Sequence, residues 1–221
     1  LLSITVNFFL SIGKTKVSGA DAVLSDNFPQ CVNGIIIAKA EGYVTEQVIA
    51  STNEPGTVNI LMDKLYELDL KVIVAGKIVN KELAIVTFSG QDYSATVVYP
   101  EQKKISLAEG YYNISVQVFS DASLTIPASS TSQCVETSKS GLLGLFGATS
   151  EECFDIEIPS QKIDNALTAR GYSSEYILEN DLINARSLEL SVPSLPRPSS
   201  LEALQTNYDL IENNNVGVSI K

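Results

Sequence analysis

The stretch NISVQVF, at Asn113–Phe119, alternates between polar and apolar side chains. Successive side chains of a β-strand point to opposite faces, so Ile114, Val116 and Val118 share one face while the serine and glutamine between them share the other. The pattern predicts a strand with one face in a core and the other in water. Strands of this kind are typical of antiparallel sheets.

Short runs of β-branched and aromatic residues recur along the chain, and Gly, Pro, Asn and Asp separate them. This composition is typical of strands joined by turns. Two of the runs, GIIIAKA at residues 34–40 and KVIVAG at residues 71–76, are continuously apolar, which predicts strands covered on both faces. We therefore expect a mainly β chain with one or two antiparallel β-sandwich modules.

Helical signals are confined to the last third of the chain. Residues 160–171 combine an N-cap serine, a terminal glycine and apolar residues at helical spacing. The segment VPSLPRPSS at residues 192–200 is rich in Pro and Ser and predicts an extended connector. A stronger helical stripe follows this connector. Its apolar members are Leu201, Leu204, Tyr208 and Ile211. A short C-terminal helix is therefore expected.

The tetrapeptide AEGY occurs at residues 40–43 and again at residues 108–111. The spacing of 68 residues is close to the length of one small β-sandwich and favours two related modules, although coincidence explains the repeat equally well. We predict a first sandwich module over residues 1–65, a second with a cysteine-bounded hairpin over residues 66–198, and a C-terminal helix and strand over residues 199–221.

Three stretches also carry a family resemblance: KVSGADAVL at residues 16–24, CVNGIIIAKAEGYVTEQV at residues 31–48 and KKISLAEGYYNISVQVF at residues 103–119. Small residues or a glycine turn lead into a strand in these stretches. Over residues 1–126 the chain resembles the carboxypeptidase-regulatory-like and PEGA-type modules of the transthyretin-like group. The resemblance implies a seven-stranded sandwich that serves as a spacer, stalk or adhesive unit in prokaryotic surface proteins.

The composition argues against several functions. The net charge of −11 disfavours a nucleic-acid partner, because phosphate binding needs clustered Lys and Arg. Histidine is absent, which removes the commonest general base and the usual nitrogen ligand of zinc. An enzyme would have to rely on a Ser/Lys dyad, carboxylates or an oxygen-only metal site. We predict a protein that is not an enzyme and has no catalytic residue, cofactor or metal site.

The three cysteines show no C-x-x-C spacing, so a zinc or thioredoxin-type site is not indicated. Cys134 and Cys153 enclose 18 residues, a span that a β-hairpin or a compact loop can close. We predict a disulfide between them and a free Cys31. The alternative is that all three are reduced core thiols, since free cysteine is often buried. A disulfide would indicate an oxidising compartment.

The heptapeptide GLLGLFG at residues 141–147 lies between the two paired cysteines in the sequence. Its three glycines lower both helix and strand propensity, which predicts a loop. Such a loop can fold back as a core plug, contact a protein partner or insert shallowly into a membrane. Its apolar members, which we predict to form an interaction loop, are Leu142, Leu143, Leu145 and Phe146.

The tripeptide at Asn113–Ser115 fits the acceptor pattern for N-glycosylation. Because the asparagine falls on the face opposite Ile114, a glycan at Asn113 is predicted to be sterically compatible with the strand. Whether it is attached depends on the compartment.

A structural role is the function that we predict from these observations. We expect an extracellular or cell-surface protein, acting in structure or adhesion as a surface, stalk or filament protein, with a protein partner through self-association or another surface protein. Membrane contact is expected only through the 141–147 loop or a missing anchor, since no run of about 20 apolar residues occurs.

Two further functions stay open. A carbohydrate- or protein-binding module is the first alternative, and an enzyme using carboxylates or metal is the second. A surface cluster of tyrosines would favour a glycan partner, because sugars stack on exposed rings. A deep pocket with several carboxylates would favour the enzyme.

Overall fold

The computed structural model describes residues 3–6, 10–120, 124–138, 149–196, 203, 205–207 and 214–221. The chain is mainly β, as predicted, and its strands form an N-terminal sheet, a β-sandwich and a long two-stranded ribbon. The N-terminal part contains β1 (Ser3–Val6), β2 (Leu10–Lys14), β3 (Lys16–Ser18), β4 (Asp21–Val23), β5 (Gly34–Lys39) and β6 (Glu46–Ala50).

The remaining elements follow in chain order. The sandwich begins with β7 (Tyr66–Val74), β8 (Lys77–Ile78), β9 (Leu83–Gly90), β10 (Ser94–Tyr99), β11 (Lys104–Leu107) and β12 (Gly110–Phe119). The ribbon contains β13 (Leu124–Ile126), β14 (Ser129–Ser138), β15 (Thr149–Ile158) and β16 (Gln161–Ile163). The sandwich then resumes with β17 (Leu167–Ile177), helix α1 (Glu179–Ile183), β18 (Ser187–Val192) and β19 (Gly217–Ile220).

The N-terminal sheet is antiparallel, with strand order β2-β1-β5-β6. Ile36 of β5 is buried in a small core with Ile12, Leu24, Phe28 and others. The adjoining β3–β4 hairpin is exposed along its whole length. In the described residues, the predicted first module thus consists of one four-stranded sheet and a hairpin.

The sandwich packs two sheets against each other, with strand orders β10-β9-β12-β17 and β11-β7-β18-β19. The alternation predicted for β12 is confirmed, because Ile114, Val116 and Val118 are all buried in the core between the sheets. Leu68, Leu70 and Val72 face them from β7. Every second residue of the two central strands therefore belongs to one continuous apolar core.

The continuously apolar runs are less symmetric than predicted. In both β5 and β7, one face is buried while much of the other is only half-buried. Ile35 and Ile37 of β5 and Ile73 of β7 lie on these half-buried faces. A long apolar run therefore marks a strand correctly but overstates how far its outer face is covered.

The second sheet contains a parallel pair, β7 and β18, within an otherwise antiparallel arrangement. On its outer face Glu189 of β18 binds Lys71 of β7 at 3.0 Å and also Lys221, which follows β19. These lysines, Lys221 first, hold the pKa of Glu189 below its ordinary value by hydrogen bonding to the carboxylate. The ion pairs thus link three neighbouring strands.

The end of the chain belongs to the sandwich. Strand β19, from the predicted C-terminal unit 199–221, pairs with β18, and Val216 is buried in the same core as β12. Of the predicted C-terminal helix, the structure describes only Ala203 and residues 205–207, and these are helical. Asn207 anchors them, because its Nδ2 donates to the carbonyl oxygen of Pro196 at 2.8 Å.

The helix expected over residues 160–171 is wrong. Strands β16 and β17 occupy this segment, and Asn165 turns the chain between them with a φ of 56°. The long pairing of β17 with β12 overrides the local helical spacing.

Gly171 does not end a helix. A Cβ atom at this position would lie 2.7 Å from Cγ2 of Val216, so the glycine permits close packing in the sandwich.

The ribbon is an insertion between β12 and β17, which are neighbours in the first sheet. It pairs β13 with β16 and then β14 with β15, in antiparallel register. Pro127 and Pro159 lie at the interruption between the two parts, where their missing N–H groups suit a break in the ladder. At about 3.4 Å per residue, the ten pairs of β14 and β15 extend about 30 Å.

Candidate functional site

The outer face of the first sheet carries a band of tyrosines and small polar residues. In β12, Tyr112, Ile114 and Val116 point into the core, so the residues between them point outward. The register places their side chains beside those of β17. We call this band the tyrosine face and define it by Tyr111, Asn113, Ser115, Tyr172, Ser174 and Tyr176.

Three exposed rings form the aromatic part of the tyrosine face. Tyr111, Tyr172 and Tyr176 are 56%, 42% and 57% exposed. Tyr111 and Tyr176 are directly opposite each other on neighbouring strands. Tyr172 comes four residues before Tyr176 in β17, which places it about 13 Å from Tyr176 along the strand. The rings are therefore open to solvent and spread along the strand direction.

Hydrogen bonds position two of these rings. The hydroxyl of Tyr172 donates to Oδ1 of Asn113 at 2.7 Å, and the Ser174 hydroxyl donates to the same oxygen at 2.8 Å. The Tyr176 hydroxyl donates to the Glu109 carboxylate at 3.1 Å, which raises the pKa of Tyr176.

The polar band continues across the sheet from Asn113 and Ser115. Ser89 and Thr87 of β9 lie opposite these two residues, and Thr96 of β10 lies opposite Thr87 with the two hydroxyls 3.4 Å apart. Among the residues that share these two cross-strand rows, none carries a charge. An uncharged, hydrogen-bonding strip is thus present on a chain of net charge −11.

The ribbon formed by β14 and β15 has two chemically different faces. One face presents Val135, Phe154 and Ile156, which are 45%, 55% and 44% exposed. We call this the apolar band. The opposite face carries exposed carboxylates on alternate positions. They belong to Glu136, Glu151, Asp155 and Glu157.

The predicted disulfide is present in the ribbon. Cys134 and Cys153 are directly opposite each other, with an S–S distance of 2.06 Å, and Cys31 is free. The bridge lies within the ribbon, on its acidic face. The Glu151 carboxylate lies within 4.8 Å of both sulfurs, but these bonded sulfurs are not thiolate ligands for a metal.

The other predicted site residues are placed as follows. Asn113, the predicted glycosylation site, is exposed but accepts the hydrogen bonds of Tyr172 and Ser174, and its modification stays a prediction. The four members of the predicted interaction loop lie outside the described residues. They are Leu142, Leu143, Leu145 and Phe146.

The surface depressions and the helices do not suggest another functional site. A depression beside Ser130 and Glu157 and another beside Tyr93 and Lys104 are both open to solvent. Helices within the described ranges fall short of the length and apolarity needed to cross a bilayer.

Sequence reasoning did not find the tyrosine face, because its paired members on β12 and β17 are more than 50 positions apart in the sequence. The even spacing of Tyr172, Ser174 and Tyr176 was the available signal. Comparisons with protein-family models, curated proteins and solved structures give no match for the chain. The resemblance to transthyretin-like modules stays a prediction.

Proposed function

We propose that the protein is a non-enzymatic extracellular surface or filament protein that acts through contacts between its ribbon and another protein chain. The observation that carries this proposal is the apolar band on a ribbon with no third strand among the described residues. A second copy of the chain is the partner that we propose first.

The low stability expected of an isolated ribbon supports the proposal of a partner. An isolated two-stranded ribbon is marginal in water, and a third strand or a packing surface usually supplies the missing burial. The disulfide contributes about 3 kcal/mol for an enclosed loop of this length, but it covers none of Val135, Phe154 and Ile156. Burial of these side chains by a neighbour would stabilise the ribbon further.

The charge of the ribbon favours contact through one face only. Its acidic face carries four carboxylates, whereas the side of the apolar band holds one acidic register position, Glu152 opposite Val135. Lys162, paired with Asp164 at 3.6 Å, is the one cation among the described ribbon residues. Two copies that pack band against band would bury apolar surface and keep both acidic faces in water. Such a self-complementary contact is typical of a two-fold dimer.

The location proposed for the protein is supported by the disulfide, since such bonds persist in oxidising compartments. Alkylation of the unfolded protein without reductant should modify one thiol, that of Cys31, and alkylation after reduction should modify all three. Intact-mass measurement reads both numbers. Three modified thiols without reductant would contradict an extracellular assignment.

The ribbon contact is tested by replacing Phe154 and Ile156 with serine. We expect the wild-type chain to self-associate at micromolar to millimolar concentration and the double variant to be at least tenfold weaker, because the apolar band loses its largest side chains. Sedimentation velocity over a concentration series measures the association. At concentrations where the wild type is monomeric, melting should change little, because both side chains are about half exposed.

A matched control changes the other face. Replacing Asp155 and Glu157 with serine alters two neighbouring positions of the same strand but leaves the apolar band intact. This variant should associate at least as well as the wild type, since it removes like charges. A monomeric wild-type chain throughout the concentration series, or equal weakening by both double variants, would contradict the proposed contact.

A further inference from the structure

We propose that the tyrosine face is a binding site for a neutral glycan. The inference goes beyond the association proposed for the ribbon, and it depends on different residues of a different sheet. Three properties of the face carry it: exposed rings, oriented hydrogen-bonding groups and the absence of charge from its central rows.

The rings offer the apolar part of the site. A sugar ring has an apolar C–H face that packs on an aromatic ring, and tyrosine adds a polar tip at the edge of the contact. Tyr111 and Tyr176, directly opposite each other, offer two neighbouring exposed rings, and Tyr172 offers a third about 13 Å away along β17. An extended glycan lying along the strand would contact rings at both positions.

The polar groups between the rings match sugar hydroxyls. The Tyr172 and Ser174 hydroxyls both point at Oδ1 of Asn113, so this oxygen is already engaged. The side-chain nitrogen of Asn113 has no acceptor among the described residues, and its two N–H groups can donate to a ligand. Because the network orients the amide in advance, binding would cost little side-chain entropy.

The charge pattern favours a neutral ligand over an acidic or strongly cationic one. The two rows that contain Asn113 and Ser115 present hydroxyl, amide and phenol groups. The chain as a whole is strongly acidic, which would repel an anionic polysaccharide. Neutral hexose and N-acetylhexosamine polymers fit both conditions.

The predicted modification of Asn113 bears directly on this site. A glycan attached to Asn113 would occupy the surface between Tyr172 and Tyr111 and compete with any free ligand. Intact-mass measurement of the purified protein decides the matter, because a hexose-bearing mass that is lost in Ser115→Ala would assign the face to a covalent glycan and overturn the proposal.

The binding test uses soluble cello-, manno- and chito-oligosaccharides as probes. The chain has nine tyrosines and no tryptophan, so its intrinsic emission reports on tyrosine, and titration calorimetry gives an independent affinity. We expect at least one of the three series to bind the wild-type protein. Tyr172→Ala and Tyr176→Ala should each weaken that binding by about tenfold.

Tyr43→Ala is the matched control, because Tyr43 is 42% exposed, the same fraction as Tyr172, but lies outside the tyrosine face. It should leave the affinity unchanged, and all three variants should melt within a few degrees of the wild type. The proposal is overturned if no series binds the wild type, or if Tyr43→Ala weakens binding as much as Tyr172→Ala. If the wild-type protein binds none of the sugars and Tyr172→Ala loses self-association, the tyrosine face is a protein contact. That result would also overturn the proposal.

Discussion

Replacing Phe88 with alanine should lower the free energy of unfolding of the sandwich by about 3 to 5 kcal/mol. The Phe88 side chain is fully buried, and its ring contacts that of Tyr112 edge to face with centroids 5.9 Å apart. Truncation removes the ring from the centre of the core, and the two packed sheets cannot close the cavity. Urea denaturation followed by circular dichroism measures the loss.

Phe154→Ala is the control for this prediction. It makes the same chemical change at a side chain that is 55% exposed on the ribbon, so the free energy of unfolding should change by less than about 0.5 kcal/mol at low protein concentration. Comparable losses for the two variants would show that Phe88 is not the core residue that the structure places between the sheets.

The second large effect is expected for Gly171→Ala, at about 1 to 3 kcal/mol. The added methyl group would lie 2.7 Å from Cγ2 of Val216 and 3.2 Å from the carbonyl oxygen of Asn214. Val216 is buried and β-branched, so it has little freedom to move away. Gly56→Ala is the control, because a methyl group there would meet nothing within 4 Å.

A double-mutant cycle separates this clash from other effects of alanine. Val216→Ala removes the atom that a Cβ at residue 171 would meet, so the double variant should lose less stability than the sum of the two single variants. Simple additivity would mean that the two positions do not touch. A stabilising Gly171→Ala would support the helix that the sequence predicts over residues 160–171, since alanine favours a helix more than glycine does.

The incorrect helix prediction for residues 160–171 shows where local sequence patterns stop being informative. A serine start, a glycine stop and apolar residues at helical spacing are present in the sequence. The same residues also alternate, with Leu167, Ala169 and Gly171 on the buried face of β17. Only the pairing with β12 decides between the two periodicities, because it satisfies the backbone groups along almost the whole strand.

Short-range chemistry determined the features that were predictable. The alternation in β12 follows from the pleat of one strand, and the Cys134–Cys153 pair follows from a span that a hairpin can close. Frequent turn residues between β-branched runs were enough to predict a mainly β chain. Helix α1 was missed because five residues are too few to show a helical repeat.

Long-range pairing determined the rest. The parallel contact of β7 with β18 joins segments that are more than 100 residues apart. The tyrosine face exists only because the register sets Tyr111 opposite Tyr176 and Asn113 opposite Ser174. A shift of one residue would turn these side chains into the core, which the alternation of each strand disfavours, whereas a shift of two residues would keep them outward but change their partners, and nothing local in either strand excludes it. The sequence by itself therefore determined which residues form strands, a disulfide and an apolar interior, whereas the tertiary structure decided which outward side chains meet, because that depends on the packing of the two sheets.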